Sequence, residues 1–118
     1  MLKQIVKVLD DKKSIDICVL KIDRISTIAD YFVICSGTSV THTKAIADEL
    51  EEKMRESGLE LLHKEGYDFG KWILMDYGSV IVHIFTKEER NFYDLERIWA
   101  DAEKIGVDNL LQVNYNNT

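Results

Sequence analysis

The stretch Ser36-Gly37-Thr38-Ser39 is the first place in the chain where residue types and spacing suggest chemistry. An apolar, strand-like run leads into it and a helical pattern leaves it. Its hydroxyls and backbone N–H groups would therefore gather at a helix N-terminus, a setting that favours phosphates. His42 follows in the first helical turn, where the helix dipole disfavours a charged imidazole, and it is expected to support this loop. The other histidines are His63 and His83, and no two of the three stand at i+3 or i+4 spacing, so there is no helical metal pair. His83 lies in an apolar strand and reads as a core or interface imidazole hydrogen-bonded to a neighbour. Cys18 and Cys35 sit in separate apolar runs without CxxC spacing and read as buried, reduced thiols.

The Ser36-Gly37 loop is similar to the Gly-Ser element of nucleotidyltransferases. Those enzymes also need a D-x-D pair on the adjacent strand to hold magnesium for phosphoryl transfer. This chain has no D-x-D. Spacings such as Asp94/Glu96 and Asp101/Glu103 fall on the last helical pattern, where i and i+2 residues do not share a face. P-loop and GxSxG motifs are also missing. Turn-and-cap structure is the better account of Ser36 to Ser39, so no catalytic residue, metal or cofactor is expected. A nucleotide-binding or nucleotidyltransferase-like enzyme using this loop is the rival reading, and a homodimeric interaction module is a second alternative.

The elements that must position these groups belong to one domain. A chain of 118 residues can bury roughly two thirds of its unfolded surface, enough for a real core. Its apolar fraction of 46% and charged fraction of 31% are those of a soluble globular protein. No apolar run approaches the roughly 18 residues of a membrane span. The opening MLKQIVKVLDDKK is neither a signal peptide nor a transit sequence, so the cytoplasm is the expected compartment. A net charge of -6 argues against gripping nucleic-acid phosphates directly, yet it favours encounter with a basic protein.

Leu2, Ile5, Val6 and Leu9 recur at helical spacing, which predicts a helix over 2–12. Strands are predicted over 15–20 and 30–36, the second nearly all apolar and so buried on both faces. Ser39 should cap a helix to about Ser57 with Thr43, Ile46 or Ala47, Leu50 and Met54 inward. A short strand over 60–64 and a loop over 65–71 precede the hairpin Trp72 to Phe85. Thr86 and Glu89 then form a capping box that opens a helix to about Lys104, with Phe92, Leu95, Trp99 and Ala102 as its stripe. The order α-β-β-α-β-β-β-α implies a mixed α/β fold of about five strands and three helices, with a β-α-β crossover over 30–64. One domain is expected over 1–105, followed by a loose tail over 106–118 anchored by Leu110, Leu111 and Val113.

The hairpin is unusual because it is apolar on both faces. With a two-residue turn at Tyr77-Gly78, one face carries Ile73, Met75, Val80, Val82 and Ile84 and should meet the helices. The other mixes Trp72, Leu74, Asp76, Ser79, Ile81, His83 and Phe85. Apolar anchors interleaved with a few polar groups suit a recognition surface. A helix or the tail covering this second face would suit the pattern equally.

The segments ADYFVICSGTSxxH (Ala29 to His42), Glu65-Gly66, WxLxDYGxVxVHxF (Trp72 to Phe85) and ERxFYxLExxW (Glu89 to Trp99) together resemble the Iojap family. This is the family of the bacterial ribosomal silencing factors and their organellar relatives. The resemblance spans about residues 1–104, with one departure at Ser79, where the family often has Asp. It implies a fold related to nucleotidyltransferases but without their catalytic acids. It also implies binding to the large ribosomal subunit through bacterial large-subunit protein fourteen, which blocks small-subunit joining and represses translation. Organellar relatives act in large-subunit assembly, and several members are homodimers when free. Under this resemblance Trp72, Leu74, Asp76, Tyr77 and Ser79 are the expected contacts with the ribosomal protein. Trp72 and Tyr77 would be aromatic anchors, and Asp76 would pair with a Lys or Arg. Trp72 packed beneath the last helix, or Asp76 bracing the turn, are the structural alternatives. Tyr93 and Trp99 fit a helix packing face.

Overall fold

The computed structural model describes residues 1–111. Eleven elements run α1 (Leu2–Asp11), β1 (Ile15–Lys21), β2 (Tyr31–Gly37), α2 (Val40–Glu56), β3 (His63–Glu65), β4 (Trp72–Asp76), β5 (Val80–Thr86), α3 (Lys87–Tyr93), α4 (Leu95–Ile98), β6 (Glu103–Ile105) and α5 (Val107–Leu111). The strands form one six-stranded mixed sheet in the order β3-β4-β5-β2-β1-β6. Among the described residues only β2 and β5 pair in parallel. These two central strands are nearly all apolar because layers of side chains cover both their faces. Helix α2 carries the chain from β2 across two intervening strands to β3 at the far edge.

One face packs against α1, α2 and α5. Ile5, Val6 and Leu9 of α1 meet Ile46, Ala47, Leu50 and Met54 of α2 over Val33, Cys35, Ile73, Met75, Val82 and Ile84. The predicted α2 stripe is buried in full, and the Ser39 hydroxyl caps the helix by accepting the His42 N–H at 3.1 Å. On the opposite face Leu20, Ile22, Phe32, Ile34, Ile81 and Phe85 pack with Leu95, Trp99 and Ala102. No helix among the described residues is long and apolar enough to cross a membrane.

Four expectations are corrected. The helix opened by Thr86 does not run to Lys104. It stops at Tyr93 because Asp94 adopts a left-handed backbone, φ 50° and ψ 56°, a conformation that Asp tolerates better than most residues. The break turns Leu95 inward (8% exposed) and leaves Phe92 outside (78% exposed), so Phe92 is no part of a buried stripe. Residues Glu103–Ile105, expected at the end of that helix, pair antiparallel with β1 and supply the sixth strand. The short strand before the hairpin lies at His63–Glu65 rather than 60–64, because its pairing with β4 sets its limits. Finally, the tail is not loose from residue 106. Val107, Leu110 and Leu111 of α5 pack against the α1–α2 core, whereas Val113 lies outside the described residues.

The hairpin register differs as well. Tyr77 N–H donates to the Val80 carbonyl at 2.9 Å, so the two-residue turn is Gly78-Ser79 rather than Tyr77-Gly78. Gly78 takes φ +89°, a conformation in which tyrosine would be strained, and Asp76 Oδ1 accepts the Gly78 N–H at 2.7 Å. The pairs become Trp72↔Phe85, Leu74↔His83 and Asp76↔Ile81. A shift of two residues leaves every side chain of the strands on its predicted face.

Candidate protein-docking face

Three of the five expected contact residues share one open surface. Burial alternates along β4, so Ile73 and Met75 are buried while Trp72, Leu74 and Asp76 are half-buried on the other side. The pairing of β3 with β4 sets Glu65 opposite Leu74 and His63 opposite Asp76, on the same face. His63 Nε2 and Glu65 Oε1 lie 2.7 Å apart there. The surface stays open because α3 packs mainly on β5 and β2, with Tyr93 meeting β4 at Trp72.

Trp72 is braced from three sides. Its ring stacks on Phe85 with centroids 4.9 Å apart and meets Tyr93 at 4.7 Å. Its indole N–H donates to His83 Nδ1 at 3.1 Å. Packing against α3 and partial exposure are thus combined in one residue. Phe92 stands edge-on to Tyr93 at 5.0 Å, and these two rings are 78% and 42% exposed. Sequence reading missed both as surface residues. The available signal was the adjacent Phe-Tyr pair immediately before Asp94, which cannot lie on one buried helical stripe.

Tyr77 and Ser79 are placed elsewhere. The Tyr77 side chain points into the α1–α2 core, 6% exposed, and burial pushes its phenol up to about 12. It is not presented at the hairpin tip. Ser79 lies in the turn rather than beside Asp76, and its hydroxyl donates to Met1 Sδ at 3.8 Å. Both differences follow from moving the turn by one residue.

The Ser36–His42 loop lies at the C-terminal end of β2 and its polar groups are already engaged. Arg90 donates to the Ser36 hydroxyl at 3.0 Å and to the Ile15 carbonyl at 3.3 Å. The same guanidinium grips Glu96 in a bidentate pair at 3.2 and 2.9 Å, which binds α3 to α4 across the Asp94 break. His42 Nδ1 accepts the Thr38 N–H at 2.9 Å, so its Nε2–H donates to the Lys12 carbonyl at 2.8 Å and ties the loop to the end of α1. Gly37 is needed for this closeness, because a Cβ there would stand 2.9 Å from Thr43 Cγ2. Cys35 is buried and Cys18 half-buried, and both are free. Among the described residues no group of three or more His, Cys, Asp or Glu is arranged to hold a metal ion.

His83 is 4% exposed, and burial lowers it to about 4. Its free-chain value is near 6.5, so an unfolded chain takes up this proton first as pH falls. Stability should therefore be full above about pH 6.5 and decline towards pH 4, by up to about 3 kcal/mol from this one group. Urea midpoints at pH 7.5 and 4.5 would measure the decline, and His83→Leu should flatten it relative to wild type. Equal declines in the two proteins would contradict a buried, uncharged His83.

Comparison with known proteins gives a consistent result. The model of a family described as "Ribosomal silencing factor during starvation" matches residues 1–118, including the tail that the sequence motifs left out. A ribosomal silencing factor RsfS from Halalkalibacterium halodurans is 40% identical over 111 residues, 94% of this chain and 95% of its own. A mouse protein named for mitochondrial assembly of the ribosomal large subunit is 32% identical over 99 residues, 81% of this chain and 43% of its own. A crystal structure from Chromobacterium violaceum superposes with a TM-score of 0.82 at 30% identity, covering 84% of this chain and 82% of that one.

Proposed function

Because the chain belongs to the ribosomal silencing factor family, we propose that it binds the large ribosomal subunit and represses translation by keeping the small subunit from joining. The partner is large-subunit protein fourteen on the inter-subunit face. The mechanism is steric: no bond is made or broken, and repression follows occupancy. The observation that carries this reading is the open strip Trp72-Leu74-Asp76, with Tyr93 beside it and Glu65 at its rim. Its centre is apolar and aromatic, which suits a desolvated hot spot. Its rim is acidic in a chain of net charge -6, which suits a basic ribosomal protein. The mouse relative's name, which refers to large-subunit assembly, points to the same subunit.

The test is co-sedimentation with isolated large and small subunits, followed by a joining assay with the protein bound first. Binding to large subunits alone, with joined ribosomes falling in proportion to occupancy, is the expected result. Full joining at saturating occupancy would overturn the steric mechanism, and no binding to large subunits would overturn the docking reading.

Asp76 allows a sharper check. Its Oδ1 accepts the Gly78 N–H, and Asp76→Asn keeps that acceptor while removing the charge. Stability should be nearly unchanged. Affinity for large subunits should fall about two- to fivefold, with a shallower salt dependence, as for a partly exposed ion pair. An unchanged salt dependence would mean that Asp76 only braces the turn.

A further inference from the structure

Three buried side-chain atoms lack a hydrogen-bond partner among the described residues, the Ser14 and Tyr77 hydroxyls and His83 Nε2, and of these His83 is the one whose other polar atom bonds a residue of the open strip. His83 sits in the middle of β5 between Val82 and Ile84, in a strand buried along its whole length. Its Nδ1 accepts the Trp72 indole N–H, so the ring's own proton is on Nε2. That nitrogen is buried and has no hydrogen-bond partner among the described residues. A buried polar atom left unpaired is unfavourable, and stability alone would not retain it. The other nitrogen supplies the reason. Trp72 is half-buried at the edge of the open strip, and its N–H needs an acceptor on its inner side. Among the described residues, His83 is the side chain that provides it.

The surroundings hold the imidazole still. Phe32 meets it edge-on with centroids 4.7 Å apart, and Phe85 lies nearly parallel to it at 6.3 Å. Phe85 also stacks on Trp72, so the two rings of β5 fix the indole by a contact to its face and a bond to its edge. Without the bond, the indole N–H would be satisfied only by turning towards water. That rotation would move the aromatic surface offered to a partner.

Building on the docking reading above, we infer that His83 is a positioning residue: its Nδ1 holds the Trp72 indole in the orientation that the large subunit recognises. His83 itself is too deeply buried to touch the partner. Its role is to remove the rotational freedom of Trp72 before binding, so that ordering the ring is not left to the moment of association.

Two substitutions separate this role from simple packing. His83→Leu keeps roughly the side-chain volume, removes the acceptor and also removes the unpaired nitrogen. His83→Asn loses the ring but places a carbonyl oxygen near the position of Nδ1. Each protein, with wild type and Trp72→Ala alongside, is measured for thermal stability and for the Trp72 indole N–H resonance, assigned with Trp99→Phe. Each is also measured for affinity to isolated large subunits. The expected result is that His83→Leu is at least as stable as wild type, shifts the Trp72 indole resonance, and binds about tenfold more weakly. His83→Asn should be less stable than His83→Leu yet bind more tightly than it. Wild-type affinity in a folded His83→Leu protein, with Trp72→Ala impaired, would overturn the positioning role and leave the docking face intact. Weaker binding by His83→Asn than by His83→Leu would also overturn it. Failure of wild type to bind would overturn the docking reading, and the positioning role with it.

Discussion

Trp72→Ala is expected to weaken association with large ribosomal subunits by at least thirtyfold while the chain remains folded. The magnitude follows from how the ring is divided between core and surface. Part of it is spent on Phe85 and Tyr93. If a partner covers the part left open, on the order of 60–80 Å² leaves water, which is worth about 2 kcal/mol or about thirtyfold. Loss of the neighbouring order, with Tyr93 no longer held against an indole, adds to this. The same substitution removes packing from the sheet face, so a stability loss of about 2 kcal/mol is expected. Co-sedimentation at temperatures well below the variant's unfolding midpoint separates the two effects. Undiminished binding by Trp72→Ala would move the docking site away from β4.

Gly66→Ala is expected to be the most damaging single-methyl change in the chain. Gly66 has φ +79°, and a Cβ there would stand 2.0 Å from the Trp72 carbonyl oxygen. That oxygen belongs to the backbone at the start of β4, where Trp72 pairs with Phe85. It cannot rotate out of the way as a side chain could. The loop cannot move freely either. Gly70 N–H donates to the Gly66 carbonyl at 3.0 Å, and the Thr43 hydroxyl donates to the Gly70 carbonyl at 2.5 Å. Left-handed strain and overpacking together should remove about 3–5 kcal/mol. For a domain of this size that lowers the thermal midpoint by on the order of 15 °C. Gly58 provides the control, with φ +81° and open space within 4 Å of where a Cβ would stand. Gly58→Ala should show only the conformational strain, about 1 kcal/mol. Equal midpoints for the two variants would contradict the close approach of the 66–70 loop to β4. Because the clash is at Trp72 itself, Gly66→Ala should also weaken subunit binding beyond what its lower stability explains.

Much of this protein was determined by local sequence. The stripes of α1 and α2 are written in apolar spacing, and Ser39 and Thr86 cap helices where their side chains predict. The two faces of the hairpin were legible for a more general reason. Side chains alternate along any strand, so Trp72, Leu74 and Asp76 share a face whichever turn forms. The family motifs added the ribosome, which no composition or periodicity could reveal.

The rest depended on contacts between residues distant in sequence. The frames Tyr77-Gly78 and Gly78-Ser79 differ by one turn residue, yet one presents Tyr77 at the tip and the other buries it against the helices. The break at Asp94 divides a periodic stripe so that Leu95 is buried and Phe92 is exposed. It is held by Arg90, which bridges Glu96 to Ser36 and Ile15, residues 54 and 75 positions away. Strand β6 exists because β1 offers it an edge. The bond from Trp72 to His83 required the pairing of β4 with β5 before either residue could be seen as the other's partner. Sequence alone therefore specified which surfaces are apolar and which family the chain resembles. The tertiary structure decided which of those surfaces remain open, because a side chain's exposure depends on what packs above it, and that neighbour is usually far along the chain.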